Sequence, residues 1–88
     1  MNTYTKEWPW YQSANGARVR ALKIKQVLPG EWGTTLTWED ASYPALLFTR
    51  REAKRLAPKV GEYLVLSEEL GEYSAAASTF ESFFEKEL

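Results

Sequence analysis

The chain has 88 residues, a formal net charge of −1 at neutral pH, and neither cysteine nor histidine. Without cysteine there can be no disulfide, thiolate nucleophile or cysteine zinc site, and without histidine the commonest general base and metal ligand is missing. This composition predicts a protein that is not an enzyme, has no catalytic or metal-binding residues and needs no cofactor.

We expect residues 1–88 to form a single domain, with residues 1–16 as an aromatic, extended N-terminal segment. That segment closes at Asn15-Gly16, a strong turn signal. It lacks the basic start and apolar core of a secretory signal, and the sequence has no apolar run of membrane-spanning length. The expectation is a cytoplasmic protein that does not bind membranes.

The first predicted strand covers residues 17–28 (ARVRALKIKQVL), where apolar and basic residues alternate with a period near two. Val19 and Ala21 fall on one face of this strand, whereas Leu22 and Ile24 fall on the other. Because a strand changes faces by taking in an extra residue, the pattern predicts a β-bulge near Ala21 and Leu22.

Two further strands are predicted before the first helix. Pro29-Gly30 turns the chain, and residues 34–39 (TTLTWE) alternate as a second strand. Residues 43–48 form the third strand. We place it near a sheet edge because Pro44 has no amide hydrogen to donate.

A short basic helix follows. Thr49 and Glu52 have the spacing of a capping box, in which a hydroxyl and a carboxylate accept hydrogen bonds from free amides at a helix start. The helix is predicted to run from Arg50 to about Ala57, because Pro58 cannot continue it.

The last third of the chain predicts two strands, over residues 62–67 and 72–75, with Gly71 in the turn between them. Ser78 and Glu81 have the spacing of a second capping box. The helix that they begin carries an apolar stripe: Phe80, Phe83, Phe84 and Leu88. The predicted order is β-β-β-α-β-β-α, an α+β fold built as a bent antiparallel sheet or a small open barrel.

Basic residues on the first strand and the first helix form a candidate patch for phosphate groups. Arg51, Lys54 and Arg55 share one helix face by their spacing. The members of the patch are Arg18, Arg20, Lys23, Lys25, Arg50, Arg51, Lys54, Arg55 and Lys59. The alternative interpretation is an ordinary solvated surface, which is the usual state of a charged helix face.

The charges are divided along the chain. Residues 1–60 contain ten Lys or Arg and five Asp or Glu, whereas residues 61–88 contain one and seven. Since opposite charges on two segments of one domain attract each other, this division predicts ion pairs inside the fold.

Aromatic residues make up 15% of the chain, more than a core of this size requires. Trp38, Phe48, Tyr63 and Phe80 suffice for that core with one more phenylalanine, Phe83 or Phe84. The surplus consists of Trp8, Trp10, Tyr11 and Trp32. Exposed Trp and Tyr are typical of protein-binding surfaces, so these four residues are candidates for partner binding. The alternative is that the N-terminal segment covers the sheet with its tryptophans.

One stretch resembles a group of small uncharacterised bacteriophage proteins. Those proteins have a Pro-x-Val-Gly-x-Tyr strand, a Gly-Tyr hairpin and a closing helix that often begins Ser-Pro-Ala and reaches a Phe. Here residues 58–65 read PKVGEYLV and residues 71–74 read GEYS, while Ala75-Ala76-Ala77 replaces Ser-Pro-Ala. The resemblance spans roughly residues 58–80. It implies a phage or prophage origin and no functional residues.

Three functions remain open. The leading hypothesis is a non-enzymatic binding module, encoded by a phage, that docks on a bacterial host protein in the host cytoplasm and inhibits it, for example against host defence. The first alternative is a nucleic-acid-binding protein that uses the basic helix and strand. The second is a virion or assembly subunit, which would form a homo-oligomer through the surplus aromatic residues.

Overall fold

The computed structural model describes residues 8–87. Residues 1–7 and Leu88 are outside this range, and with them the start of the N-terminal segment and the last position of the predicted apolar stripe. The elements, in chain order, are β1 (Trp10–Ser13), β2 (Arg18–Pro29), β3 (Thr34–Trp38), β4 (Leu46–Phe48), α1 (Arg50–Leu56), β5 (Tyr63–Ser67), β6 (Gly71–Ala75), α2 (Ala77–Phe83) and β7 (Phe84–Lys86).

The described strands form one antiparallel sheet that stays open, with the two helices packed against it. The main path is β4-β3-β2-β1-β7, and β5 pairs with β2 and with β6. The predicted α+β class and open antiparallel sheet are confirmed, but the predicted order lacks two strands, β1 and β7. Both helices have seven residues, and neither helix of the described range is long and apolar enough to cross a membrane.

Strand β2 is the centre of the fold because both of its faces are buried. Val19 and Ala21 belong to one hydrophobic cluster, and Leu22 and Ile24 belong to another on the opposite face. Cluster one consists of Trp8, Leu22, Ile24, Leu36, Trp38, Leu46, Phe48, Leu56 and Leu64. Cluster two consists of Val19, Ala21, Tyr63, Val65 and Phe80.

The predicted bulge near Ala21 and Leu22 is wrong. The pairing of β2 with β5 runs without interruption through Leu22 opposite Leu64, and the register shift lies between Ile24 and Gln26 against β3. The change of face needs no extra residue here, because a sheet with a cluster on each side buries successive residues alternately.

The capping box at the start of α1 is confirmed. Thr49 Oγ1 accepts a hydrogen bond from the amide of Glu52 at 3.1 Å, and the Glu52 carboxylate accepts one from the amide of Thr49 at 2.9 Å. The helix ends at Leu56, one residue earlier than predicted. Ala57 follows in the left-handed conformation, with φ of 44°, directly before Pro58.

The second capping box is wrong, and so is the length predicted for the last helix. Helix α2 begins after Ala76, which supplies no side-chain cap. Glu81 instead accepts a hydrogen bond from the Tyr63 hydroxyl at 2.7 Å. The chain leaves the helix at Phe84 and pairs with β1, so Phe84 packs on cluster two while Phe83 points to solvent.

Candidate docking surfaces

The described part of the N-terminal aromatic segment, from Trp8 onwards, is folded onto the sheet, and Trp8 is a core residue with 2% of its surface exposed. Its ring lies edge-on to that of Trp38, with 4.8 Å between the ring centroids. Its carbonyl oxygen accepts a hydrogen bond from the Arg20 guanidinium at 2.5 Å, and the carbonyl of Pro9 accepts one from the amide of Ala21 at 3.3 Å. Trp8 therefore offers almost no surface to a partner.

Trp10 is half-buried under two guanidinium groups. The guanidinium carbons of Arg18 and Arg20 lie 4.3 Å and 4.0 Å from the centroid of its ring, within the range of cation–π contacts. Arg18 also forms an ion pair with Glu87 at 2.7 Å. The hydrogen bond from Arg18 lowers the pKa of the Glu87 carboxyl, so the pair keeps its charge in mild acid. Together these contacts join β1 to the residue after β7.

Tyr11 faces away from Trp8 and Trp10, as its position in an extended segment predicts. Its ring lies edge-on to those of Tyr63 and Phe80, at centroid distances of 6.0 Å and 5.0 Å. Burial raises the pKa of the Tyr11 phenol. Three of the four surplus aromatic residues thus pack within the chain.

The buried phenol of Tyr63 predicts a loss of stability in alkali. Burial, and next the hydrogen bond that its hydroxyl donates to Glu81, raise the pKa of Tyr63 well above its usual value. A raised pKa means that the folded state holds the phenol proton more tightly, so this stabilisation is present below about pH 10 and is lost as the pH rises above it.

Urea unfolding of the wild type and of Tyr63→Phe between pH 8 and pH 11.5 measures this effect. We expect the free energy of unfolding to fall less steeply with pH in Tyr63→Phe, since the variant has no phenol at this position to titrate. Parallel curves for the two proteins would show that Tyr63 is not the group responsible.

Trp32 is the surplus aromatic residue that remains at the surface, with 81% of its area exposed. It lies in the turn between β2 and β3, at the end of the long hairpin. The turn is ordered by two hydrogen bonds: the amide of Gly30 donates to the carbonyl of Gly33 at 2.7 Å, and the Arg50 guanidinium donates to the carbonyl of Glu31 at 2.6 Å. The indole is therefore carried on a fixed turn.

Two leucines lie on the outer face of the sheet near the same turn. In the pairing of β2, β3 and β4, Leu28 is opposite Thr35, and Thr35 is opposite Leu47. These three side chains form one row across the sheet, since directly opposed residues share a face. Leu28 is 48% and Leu47 63% exposed. We refer to Leu28, Trp32 and Leu47 as the hairpin-end patch.

Gly33, the residue after Trp32, lies close to the backbone and side chains of β4. A Cβ at Gly33 would lie 2.1 Å from the carbonyl oxygen of Phe48 and 3.4 Å from Cδ1 of Leu47, and its φ of 150° is one that side chains rarely adopt. Only glycine fits here, because the backbones of the turn and of β4 approach each other too closely for a side chain.

Gly33→Ala should therefore lower the free energy of unfolding by about 2–3 kcal/mol, the cost of one strongly strained backbone position. Thermal or urea unfolding followed by circular dichroism measures this value. The matched control is Gly16→Ala, where φ is also positive but a Cβ would meet no atom within 4 Å. A cost at Gly33 no larger than at Gly16 would contradict the close approach of β4.

The nine residues of the predicted basic patch are in different situations. Arg18, Lys23 and Arg55 form ion pairs. The Arg20 guanidinium donates a hydrogen bond to the carbonyl of Trp8 and lies over the Trp10 ring. Arg50 donates a hydrogen bond to the carbonyl of Glu31 in the turn. Four are exposed and make no ion pair with any residue of 8–87: Lys25, Arg51, Lys54 and Lys59.

The three ion pairs within residues 8–87 follow the division of charge along the chain. Arg18 pairs with Glu87, Lys23 with Glu81 at 3.9 Å and Arg55 with Glu72 at 3.2 Å. Each joins a cation of residues 1–60 to a carboxylate of residues 61–88, as the charge division predicts. Arg50 and Arg51, at the start of α1, are left without an acidic partner in the described chain.

Sequence reasoning identified Trp32 but missed the two exposed leucines, Leu28 and Leu47. Each leucine is next in sequence to an apolar residue that packs on cluster one, the partly buried Val27 or the buried Phe48, so the sequence does not indicate which of the two side chains is exposed. What places the two leucines on one face is the pairing of Leu28 and of Leu47 with Thr35. This pairing is known only once the three strands are aligned in the sheet.

Neither a protein-family model nor a curated protein sequence matches this chain. Among solved structures, the fold is similar to that of the phage L decoration protein, whose monomeric form was determined in solution by NMR. The TM-score is 0.72, and the identity is 25% over 96% of this chain and 63% of the phage L chain. The present chain thus spans less than two thirds of that protein. The similarity agrees with the second alternative, a virion or assembly subunit, better than with an inhibitor of a host protein.

Proposed function

We propose that this chain is a phage decoration protein, a non-enzymatic subunit that binds to the outside of an assembled capsid. The observation that carries the proposal is the similarity to the phage L decoration protein, which extends over 96% of the present chain with a TM-score of 0.72. The resemblance of residues 58–80 to small bacteriophage proteins points to the same origin and is independent of the fold.

The structure of the surface supports a role in binding. The described helices and strands surround two packed clusters on either side of β2, and such a packed scaffold holds surface residues in fixed positions, which reduces the entropy lost on binding. An exposed tryptophan on an ordered turn is the kind of side chain that dominates protein interfaces, because it buries a large area with few rotatable bonds.

The two other hypotheses have less support. The hypothesis of a host-protein inhibitor depends in part on the surplus aromatic residues as an exposed surface, and three of these four, Trp8, Trp10 and Tyr11, pack against the chain itself. Nucleic-acid binding rested on nine cations, of which Arg18, Lys23 and Arg55 are neutralised by carboxylates of the same chain. Both remain predictions that binding assays can test.

The proposal is tested by mixing the purified protein with DNA-free capsids of the phage or prophage that encodes it, and sedimenting the capsids. We expect the protein to co-sediment and to saturate at a fixed number of copies per capsid. Capsids of an unrelated phage serve as the control. Absence of binding at micromolar protein, or equal binding to both capsids, would contradict the proposed function.

A further inference from the structure

We infer that the last turn of α1 covers the outer edge of β6 and prevents a second copy of this chain from pairing with that strand. Arg55 and Leu56 of α1 are hydrogen-bonded to Glu72 and Ser74 of β6. We refer to these four residues as the α1–β6 contact. Its role concerns the sheet edge and is independent of the proposed function.

Strand β6 has one edge that no strand of the described chain occupies. Within residues 8–87, β6 pairs with β5 alone. The free amides and carbonyls of an edge strand can pair with a strand of another molecule, so proteins commonly cover such an edge or interrupt it with proline. Strand β6 reads GEYSA and contains no proline. Protection of this edge therefore has to come from another element.

The backbone groups that point to this edge are those of Glu72 and Ser74. The carbonyl of Glu72 accepts a hydrogen bond from the Arg55 guanidinium, so it is directed away from β5. Since the direction alternates along an antiparallel strand, Ser74 is directed to the same side. The other face of β5 agrees with this assignment, because the carbonyl of Glu62 accepts a hydrogen bond from the amide of Ile24 in β2. Even-numbered residues of β5 are thus directed to β2 and odd-numbered ones to β6.

The last turn of α1 lies over both of these positions. Arg55 donates one hydrogen bond to the carbonyl of Glu72 and another to its carboxylate, each at 3.2 Å. The Ser74 hydroxyl donates to the carbonyl of Leu56 at 2.7 Å. The last carbonyls of a helix have no partner within the helix. The α1–β6 contact therefore satisfies the helix end and covers the strand edge together.

The polar part of the contact is separate from the packing that holds α1 on the domain. The side chain of Leu56 is buried in cluster one. The ion pair of Arg55 and Glu72 lies at the surface, with 53% and 33% of the two side chains exposed, and exposed ion pairs add little to stability. Loss of the polar contacts should therefore free the edge of β6 in a protein that remains folded.

A second copy of β6 is the occupant that fits the freed edge. In an antiparallel pair of two β6 strands centred on Tyr73, Glu72 of each copy lies opposite Ser74 of the other, and the outward backbone groups exchange hydrogen bonds. The two Tyr73 side chains then form an aromatic cross-strand pair on the two-fold axis. A pair centred on Glu72 would place two like charges opposite each other, which disfavours that register.

The test compares self-association of matched double variants. Arg55→Ala/Ser74→Ala removes the polar contacts of α1 with β6. Arg55→Ala/Ser74→Pro removes the same contacts and also the outward amide hydrogen of residue 74, which strand addition needs and the pairing with β5 does not use. The control, Arg51→Ala/Ser82→Ala, changes exposed residues of the same types outside the contact. Sedimentation velocity over a concentration series measures self-association, and circular dichroism establishes that each variant is folded.

We expect the dimer dissociation constant of Arg55→Ala/Ser74→Ala to be roughly tenfold or more below that of the wild type, a factor that corresponds to about one net hydrogen bond. Arg55→Ala/Ser74→Pro and the control should self-associate no more than the wild type. An alanine double variant that is as monomeric as the wild type would overturn the role of α1. Equal self-association of the alanine and proline variants would also overturn it, because the contact would then not use the edge of β6.

Cross-linking tests the register and gives a result even where Ser74→Pro prevents folding. The chain has no cysteine of its own, so an introduced thiol reports on one position. Tyr73→Cys in the Arg55→Ala/Ser74→Ala background places two thiols on the proposed two-fold axis. Directly opposed residues of this kind have Cα atoms about 4.5 Å apart, within the range of about 4.4–6.8 Å that a disulfide spans.

Leu70→Cys in the same background is the control, because Leu70 is 75% exposed and lies in the turn before β6, away from the axis. With oxidised glutathione as the oxidant, we expect disulfide-linked dimers to form faster from Tyr73→Cys than from Leu70→Cys, as measured on non-reducing gels. Tyr73→Cys should also form them faster than the same substitution in the wild-type background, where α1 covers the edge. Equal rates in either comparison would contradict pairing through β6.

Discussion

Phe80→Ala should lower the free energy of unfolding by about 3–5 kcal/mol, the usual cost of truncating a buried phenylalanine. Only 2% of Phe80 is exposed. Its ring is stacked on Tyr63 at 4.4 Å and on Phe84 at 4.8 Å between centroids, and Tyr11 meets it edge-on at 5.0 Å. The side chain thus packs α2 against residues of β1, β5 and β7. For a domain of this length, the loss is a large part of a total of about 4–13 kcal/mol.

The matched control is Phe83→Ala, three positions later in the same helix. Phe83 is 66% exposed, so its truncation should change stability by no more than about 0.5 kcal/mol. Urea unfolding, followed by tryptophan fluorescence and by circular dichroism, gives both values. Equal costs at the two positions would show that α2 does not pack through Phe80.

Hydrogen exchange provides a second measure of the same prediction. Phe84 opens β7 and is stacked on Phe80, and β7 is paired to β1 alone among the described strands. In Phe80→Ala, the amides of β7 should therefore exchange faster than those of β5, which is paired on both sides. Uniform acceleration over both strands would indicate global loss of stability without local loosening.

The contrast between Phe80 and Phe83 shows where the sequence is informative and where it is not. Helical spacing correctly predicts that Phe80 is buried, but it puts Phe83 and Phe84 on the same apolar stripe and does not show that only Phe84 packs on the core. The helix ends at Phe83 because the backbone of β7 finds partners in β1, more than seventy residues earlier in the chain. Periodicity within a segment does not contain that information.

Local signals predicted local features well. Thr49 and Glu52 predict the start of α1, because a capping box depends only on residues within one helical turn. The spacing of Ser78 and Glu81 is the same, but Glu81 binds the hydroxyl of Tyr63 in a distant strand. A tertiary contact has taken the place of the cap.

The same distinction applies to the candidate site. Composition shows that the chain has more aromatic residues than its core requires, and the exposure of Trp32 agrees with this. Which other residues accompany Trp32 depends on the register of three strands, so Leu28 and Leu47 are visible only in the folded sheet. The charge division, in contrast, is a property of whole segments and survives in the three ion pairs.

Trp8→Ala should also lower the free energy of unfolding by about 3–5 kcal/mol. The residue is 2% exposed, and its ring lies edge-on to that of Trp38 within cluster one. The backbone around it is held by the Arg20 guanidinium and by the amide of Ala21. Truncation would leave a cavity in cluster one and remove the packing of Trp8 on Trp38, which holds this segment on the sheet.

Trp32→Ala is the control that isolates burial, since it removes the same side chain from a site that is 81% exposed. We expect a change within about 0.5 kcal/mol there. The effects on capsid binding should be the opposite of the effects on stability. Trp32→Ala should weaken capsid binding although the protein is as stable as the wild type. Trp8→Ala, measured well below its melting temperature, should leave the affinity of the folded protein unchanged. A Trp8→Ala variant that is as stable as the wild type but binds capsids poorly would contradict this prediction. It would show that Trp8 belongs to the partner-binding surface, because its side chain would then contribute to binding and not to stability.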